Sequence, residues 1–318
     1  MFDSVELSQT FSPPAFTLRQ LQYAVAVADT LSFRRAAQLC FVSQPSLSAQ
    51  LAQLEDVLGI VLFERTRKKV LLTQRGAAIV ERARQLVLSA GDLAAAAKST
   101  SDPLAGRLRI GVIPTISPYL LPRIVPKLRS RFARLQIEWC EDRTERLMGA
   151  LSRGELEGAL VALEADLGTV EHAVIAKDPF VLAVHRKHPL ARKKSPVTAL
   201  ELHAADIMLL DDGHCFREQA LEVCNTAHAR EGQFRATSLT TLVQMVAGGA
   251  GVTLLPALAV ATEAKRAQLR IRAVAMPSAH RTVALVWREG APIAPALREI
   301  ATVMRQGFPI PRVSVRRR

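Results

Sequence analysis

The sequence predicts an α/β protein in two parts. An all-α winged helix-turn-helix unit and a long linker helix come first, and two Rossmann-type subdomains follow. Three observations predict this. Apolar residues recur at helical spacing through the first hundred positions, and a short β-prone pair with a basic tip interrupts them. From position 107 onward, strand and helix signals alternate. At 318 residues the chain is long enough for two or three domains with their own cores.

Residues 1–15 read as an N-terminal extension. They have no basic start and no sustained apolar run, so they are not read as a signal peptide. The helix-turn-helix unit spans 16–73. In its first helix Leu18, Leu21, Val25 and Ala28 form the inward face. Ser32 caps a second helix that buries Phe33, Ala36, Ala37 and Cys40. Pro45 suits the first turn of a third helix, which buries Leu47, Leu51, Leu54 and Leu58 and stops at Gly59. The start of this third helix, "SQPSLSAQ", is small and polar, and "VLFERTRKKVLLT" follows as two short strands around a basic tip. Thr73 caps a linker and dimerisation helix over 74–98. There Ile79, Leu86 and Leu93 recur every seven residues, with Ala83, Ala90 and Ala97 in the alternate slots. Such a seam buries little without a facing helix, so it predicts a homodimer. "STSDPLAG" (99–106) is a hinge.

Lys and Arg outnumber Asp and Glu by 42 to 29, a formal charge of +13. The excess favours a polyanionic partner. Its placement makes double-stranded DNA the expected one. Ser43, Gln44, Pro45, Ser46 and Ser48 can enter a major groove, with Arg34, Arg35 and the wing residues Arg65, Arg67, Lys68 and Lys69 beside phosphates. The alternative is a three-helix bundle with a solvated charged face. The most apolar stretch, 246–260, is broken by three glycines and Pro256, so no membrane partner is expected. With no targeting segment the default compartment is the cytoplasm, where lasting disulfides are rare.

The α/β unit spans 107–310, with one subdomain of 107–176 and 282–310 and a second of 177–281. "RLRIGVI", "LQIEWCE" and "EGALVAL" are strands separated by helices, and "PFVLAVHRKHPL" opens a second set ending in "RTVALVWREG" and a last helix. This order predicts a parallel sheet with a ligand cleft at the strand ends. No GxSxG, HExxH or P-loop is present, "AGGAGV" lacks dinucleotide-loop spacing, and the seven histidines do not cluster with cysteines at zinc spacing. No enzyme, cofactor or metal is expected.

Two of the four cysteines lie close together, in "GHCFREQALEVC" (213–224). Cys40 and Cys140 read as buried small hydrophobes. Cys215 follows a turn and begins a helix, a position that favours the thiolate. His214 and Arg217 would push the same way, whereas Asp211, Asp212 and Glu218 would oppose. In one continuous helix, nine residues place the two thiols on opposite faces, ~13.5 Å apart along the axis. A disulfide needs Cα atoms within about 7 Å, so pairing would require unwinding. On spacing alone, two unpaired thiols remain the alternative.

Residues 33–76 resemble the DNA-binding end of LysR-type transcriptional regulators. From about Phe16 to Phe308, "IGVIPTISPYLLP", "LLDDGHCFREQALEVC" and "FRATSLTTLVQMVAGGAGVTLLPALAV" are similar to the peroxide-sensing members of that family. The resemblance implies a regulatory domain of two periplasmic-binding-protein-like subdomains. It also implies a peroxidatic Cys215 resolved by Cys224, and a pocket using His214, Thr115, Thr144 and Arg281. As partners it implies hydrogen peroxide as the signal, a homotetramer built as a dimer of dimers, RNA polymerase, and a thioredoxin- or glutaredoxin-type reductant. Glu218 stands where the family commonly has aspartate. Two other readings stay open on the residues alone: a LysR-type regulator of a small carboxylate or aromatic effector, and a thiol peroxidase.

Overall fold

The computed structural model describes residues 14–65, 69–98, 104–193, 195–213 and 215–309. Nearly all of the N-terminal extension, the wing residues Arg67 and Lys68, much of the hinge, and His214 lie outside the described residues, as does the side chain of Arg65. The chain forms two compact units, Met1–Lys98 and Ser99–Arg318.

In the first unit, α1 (Leu18–Thr30) starts with a capping box between Thr17 and Gln20. Ser32 caps α2 (Phe33–Leu39), and Ser43 caps α3 (Gln44–Leu58) through the Ser46 amide. Gly59 ends α3 at φ +63°, a left-handed conformation that glycine adopts without strain. The wing is an antiparallel pair, β1 (Phe63–Arg65) and β2 (Val70–Leu72), and the Glu55 carboxylate accepts from the Leu62 and Phe63 amides to tie it to α3. Thr73 Oγ1 accepts from the Gly76 amide at 2.8 Å and caps α4 (Gln74–Lys98). The core holds Leu21, Tyr23, Ala24, Val27, Leu47, Leu51, Leu54 and Leu62.

Three expectations change here. Leu18 is exposed, while Val25 and Ala28 are only half-buried. The helix is covered by α2, α3 and α4, so its inward arc centres on Leu21, Ala24 and Val27. Ala83 is buried in this unit's own core beside Val80, leaving Leu86 and Leu93 as the large exposed apolar side chains among the described residues of α4. Cys40 is the half-buried C-terminal cap of α2.

The second unit is a mixed sheet, where the sequence predicts a parallel one. Strands β3 (Gly106–Val112), β4 (Leu135–Glu141) and β5 (Gly158–Ala162) form one parallel set, with helices α5 (Ser117–Arg131) and α6 (Thr144–Ser152) between them. Strand β7 (Asp206–Leu210) runs parallel to β8 (Arg230–Ala236) and β9 (Val252–Pro256) in the other set, with α8 (Cys215–Thr226) and α9 (Leu239–Ala247) as its helices. Short α7 (Ala199–His203) precedes β7, and α10 (Ala257–Arg266) and β10 (Arg270–Ala273) follow β9.

Two long antiparallel strands join the sets. Strand β6 (Val170–Val184) pairs with β11 (His280–Arg288) as far as Pro179, then pairs with β9 from Phe180 onward. Proline cannot donate a ladder hydrogen bond, which suits the point where the strand changes partners. Helix α11 (Ala294–Gly307) closes the unit. The core runs through both sets, with Trp287, Phe180 and Phe216 among its largest fully buried side chains. Cys140 is exposed on β4, not buried, because β4 ends the sheet order and Cys140 falls on its outward side.

Candidate functional site

In the first unit the N-terminal turn of α3 is open. Ser43, Gln44, Pro45 and Ser46 are exposed and Ser48 is half-buried, because Leu47, Leu51 and Leu54 take the opposite face into the core. Arg34 and Arg35 are exposed in the first turn of α2. Phe41, in the turn between the helices, is 94% exposed with its backbone at φ +54°. An aromatic there carried no periodic signal in the sequence. Along α4, Ile79 packs against the core from its edge, and Leu86 and Leu93 (73% exposed) face outward.

In the second unit Cys215 is the first residue of α8. The preceding turn passes through Gly213 at φ +83°, where a Cβ would also stand 2.6 Å from the Arg143 guanidinium. Cys215 is buried at the side of a small cleft lined by Ile113, Pro114, Thr115, Arg143, Thr144 and Gly213. The cleft offers about 10 Å³ of accessible volume, close to the room one water-sized molecule needs. Thr115 belongs to the loop after β3 and Thr144 is the first residue of α6, so a loop and a helix start of one parallel set meet a helix start of the other. Arg143 donates to the Asp212 carbonyl at 3.2 Å across the rim.

Arg281 on β11 is fully buried behind Thr115. Its Nη1 donates to Thr115 Oγ1 at 2.7 Å and its Nη2 to the Thr115 carbonyl at 3.0 Å. Its Nε donates to Asp178 Oδ2 at 3.0 Å, and the Phe216 ring lies 5.8 Å away. Because Thr115 Oγ1 accepts from Arg281, the hydroxyl proton is free to point elsewhere. Among the described residues the buried Thr144 hydroxyl has no hydrogen-bond partner of standard geometry; the Cys215 sulfur beside it is the group it influences.

The electrostatics depart from the sequence expectation. Burial pushes the Cys215 thiol above its ordinary pKa, outweighing the Thr144 hydroxyl, the Arg281 charge and the Phe216 amide, all of which favour the thiolate; Glu218 opposes it. Arg217 does not assist. It is buried in ion pairs with Asp212 and Glu231, each at 2.8 Å. Cys224 is buried near the other end of α8, and burial with the Glu231 charge pushes its thiol up to about 11. The helix between the cysteines is continuous. Thr115, Thr144 and Arg281 thus gather around Cys215, while Cys224 stands apart and His214 lies outside the described residues. Sequence reasoning missed Asp178, whose signal is a lone acid leading into the apolar run "PFVLAV", and Arg143. Among the described residues no group of three His, Cys, Asp or Glu side chains forms a metal site, and no helix is long and apolar enough to cross a membrane.

The chain matches the family model for the bacterial regulatory helix-turn-helix protein, lysR family, over residues 18–77, and the LysR substrate binding domain over 101–309. It is 41% identical over 289 residues to the DNA-binding transcriptional dual regulator OxyR of Escherichia coli K12, covering 91% of this chain and 94% of that protein. It is 41% identical over 290 residues to the hydrogen peroxide-inducible genes activator of Pectobacterium carotovorum, covering 91% and 96%. Among solved structures, a full-length cysteine-to-aspartate variant of Pseudomonas aeruginosa OxyR superposes with a TM-score of 0.74 at 33% identity, covering 95% of this chain and 99% of that one. A cysteine-to-serine mutant of Corynebacterium glutamicum OxyR with hydrogen peroxide bound gives a TM-score of 0.62 at 31% identity, covering 93% and 95%. The chain belongs to the LysR family of bacterial helix-turn-helix transcriptional regulators, in its OxyR branch.

Proposed function

We propose that this chain is a DNA-binding transcriptional regulator that senses hydrogen peroxide through a reversible Cys215–Cys224 disulfide and controls antioxidant genes. The placement of Cys215 carries the reading. It begins a helix, its side chain borders a water-sized cleft beside two threonines, and the second thiol lies far along the same helix. The names of the Escherichia coli and Pectobacterium relatives support it.

In this reading the Cys215 thiolate attacks one oxygen of the peroxide. The S–O bond forms as the O–O bond breaks, and the second oxygen leaves as hydroxide and takes up a proton to become water. The free protons of Thr115 and Thr144, with His214, serve as donors to the departing oxygen. The Cys224 thiolate then attacks the sulfenic sulfur of Cys215, forming the S–S bond and releasing the oxygen as a second water. A thioredoxin- or glutaredoxin-type dithiol returns two electrons by exchange and restores both thiols. The output is a change of shape, so the chain acts as a regulator and not as a peroxidase.

Closure requires α8 to unwind, because ~13.5 Å of helix separates residues that must come within about 7 Å. Unwinding rearranges the regulatory subdomains and so the spacing of the DNA-binding units. Ser43, Gln44, Pro45, Ser46 and Ser48 reach base edges or nearby phosphates, and Arg34, Arg35 and Arg65 hold the backbone. Ile79, Leu86 and Leu93 form the dimer seam of a cytoplasmic homotetramer that engages RNA polymerase. The test is intact mass after stoichiometric peroxide. Wild type should lose two hydrogens, linking Cys215 to Cys224. Cys224→Ser should gain oxygen at Cys215, and Cys215→Ser should stay unchanged at this site. Oxidation elsewhere with these two thiols free would overturn the reading.

A further inference from the structure

We propose that Asp178 is a positioning residue for the peroxide reaction, holding the Arg281 guanidinium so that it fixes Thr115 in the thiol cleft. The proposal rests on the peroxide reading above. Asp178 and Arg281 are both 0% exposed, on the two strands that join the halves of the sheet. Asp178 Oδ1 accepts from the Leu258 amide at 2.9 Å, and Oδ2 accepts from Arg281 Nε at 3.0 Å.

With Nε committed, the guanidinium plane cannot turn about its long axis. Its other two nitrogens then both reach Thr115, one the hydroxyl and one the carbonyl, at 2.7 and 3.0 Å. A guanidinium is a rigid fork, so fixing one tine aims the others. The consequence falls on the Thr115 hydroxyl. An oxygen that must accept from Arg281 has to send its own proton away from Arg281, and the cleft containing Cys215 is lined by this same threonine. Asp178 therefore acts two residues removed from the peroxide, through Arg281 and then Thr115.

A buried ion pair is a weak source of stability, since a neutral pair of similar shape often folds as well. A charged pair kept at full burial beside the thiol cleft is better explained by the direction it gives to Thr115. Charge and size make opposite predictions for this site. If Asp178 only filled space, the isosteric Asp178→Asn would be tolerated and the longer Asp178→Glu would not. If it orients Arg281, Asp178→Glu should retain the effect and Asp178→Asn should lose it.

The experiment measures the second-order rate of Cys215 oxidation by hydrogen peroxide in the full-length chain carrying Cys224→Ser. The expected result is that Asp178→Asn slows the rate roughly ten- to hundred-fold, the scale of a misplaced donor, while Asp178→Glu stays within about threefold of the parent. Loss in Glu with retention in Asn, or retention in both, overturns the proposal. If both variants are slow or poorly folded, Arg281→Gln is compared with Asp178→Asn/Arg281→Gln, a neutral pair. Equal rates support action through Arg281, and a further loss in the double variant overturns it. A parent whose Cys215 does not react with peroxide at all would instead refute the peroxide reading itself.

Discussion

Gln219 lies on α8 between the two cysteines and is 5% exposed, yet neither its amide nitrogen nor its amide oxygen has a hydrogen-bond partner among the described residues. A buried polar group left unsatisfied costs about 1–3 kcal/mol, so this one side chain burdens the helical, reduced form. Melting α8 returns the amide to water and removes that cost. Gln219→Met keeps length and helix propensity while deleting both polar groups. It should stabilise the helical form relative to the unwound disulfide form by about 2–4 kcal/mol, allowing for partial relaxation. For a two-electron couple 1.4 kcal/mol corresponds to about 30 mV, so the Cys215–Cys224 potential should rise by about 40–90 mV. Equilibration against glutathione mixtures, with alkylation of the free thiols as the readout, measures this directly. The variant should also close its disulfide more slowly after peroxide. An unchanged potential, or one that falls, would mean either that Gln219 stays buried in the disulfide form or that α8 does not unwind.

Three further outcomes follow from other parts of the molecule. Leu86→Asp should dissociate the dimer, since each chain loses about 1.5–3 kcal/mol of apolar burial before charge repulsion is added; a sedimentation profile identical to wild type would make α4 a simple linker. Because burial raises the Cys215 thiol above its ordinary value, the peroxide rate should climb with pH through the neutral range and not level off below the ordinary thiol value; an early plateau would contradict the electrostatic balance described for the cleft. Cys224 keeps its proton in the folded helix up to about 11, above the ordinary value of 9.0. The unfolded form gives up that proton first, so the stability this group contributes is intact below about pH 9 and is lost as pH rises towards 11. Thermal melts of the reduced Cys215→Ser variant across that window should show the decline, and a flat profile would place Cys224 in solvent.

The helix-turn-helix was legible because its signals are local: Ser32 and Ser43 as caps, Pro45 in a first turn, Gly59 as a stop, and leucines at helical spacing. Alternation of strand and helix likewise marked the second unit. The mixed character of the sheet was not legible. The long strand β6 changes partners at Pro179, and its first half alternates weakly, so only its buried second half stood out in the sequence. Exposure also escaped local reading. Cys140 ends the β-prone run "LQIEWC" but sits on the outward side of an edge strand. The grouping of Thr115, Thr144 and Arg281 around Cys215 came from family resemblance, since no spacing rule brings residues more than 160 positions apart to 2.7 Å. The opposing pull of burial on the Cys215 thiol depends on packing from several elements, and a helix-start argument sees only one of them.

The central claim is that joining Cys215 to Cys224 requires α8 to come apart. Amide hydrogen exchange of the full-length chain, reduced and then oxidised with one equivalent of peroxide, tests it most directly. With the disulfide verified by mass in the same sample, amides across Cys215–Thr226 should lose their protection while the parallel strands β3, β4 and β5 keep theirs. A verified Cys215–Cys224 disulfide in a chain whose α8 amides remain protected would contradict the account.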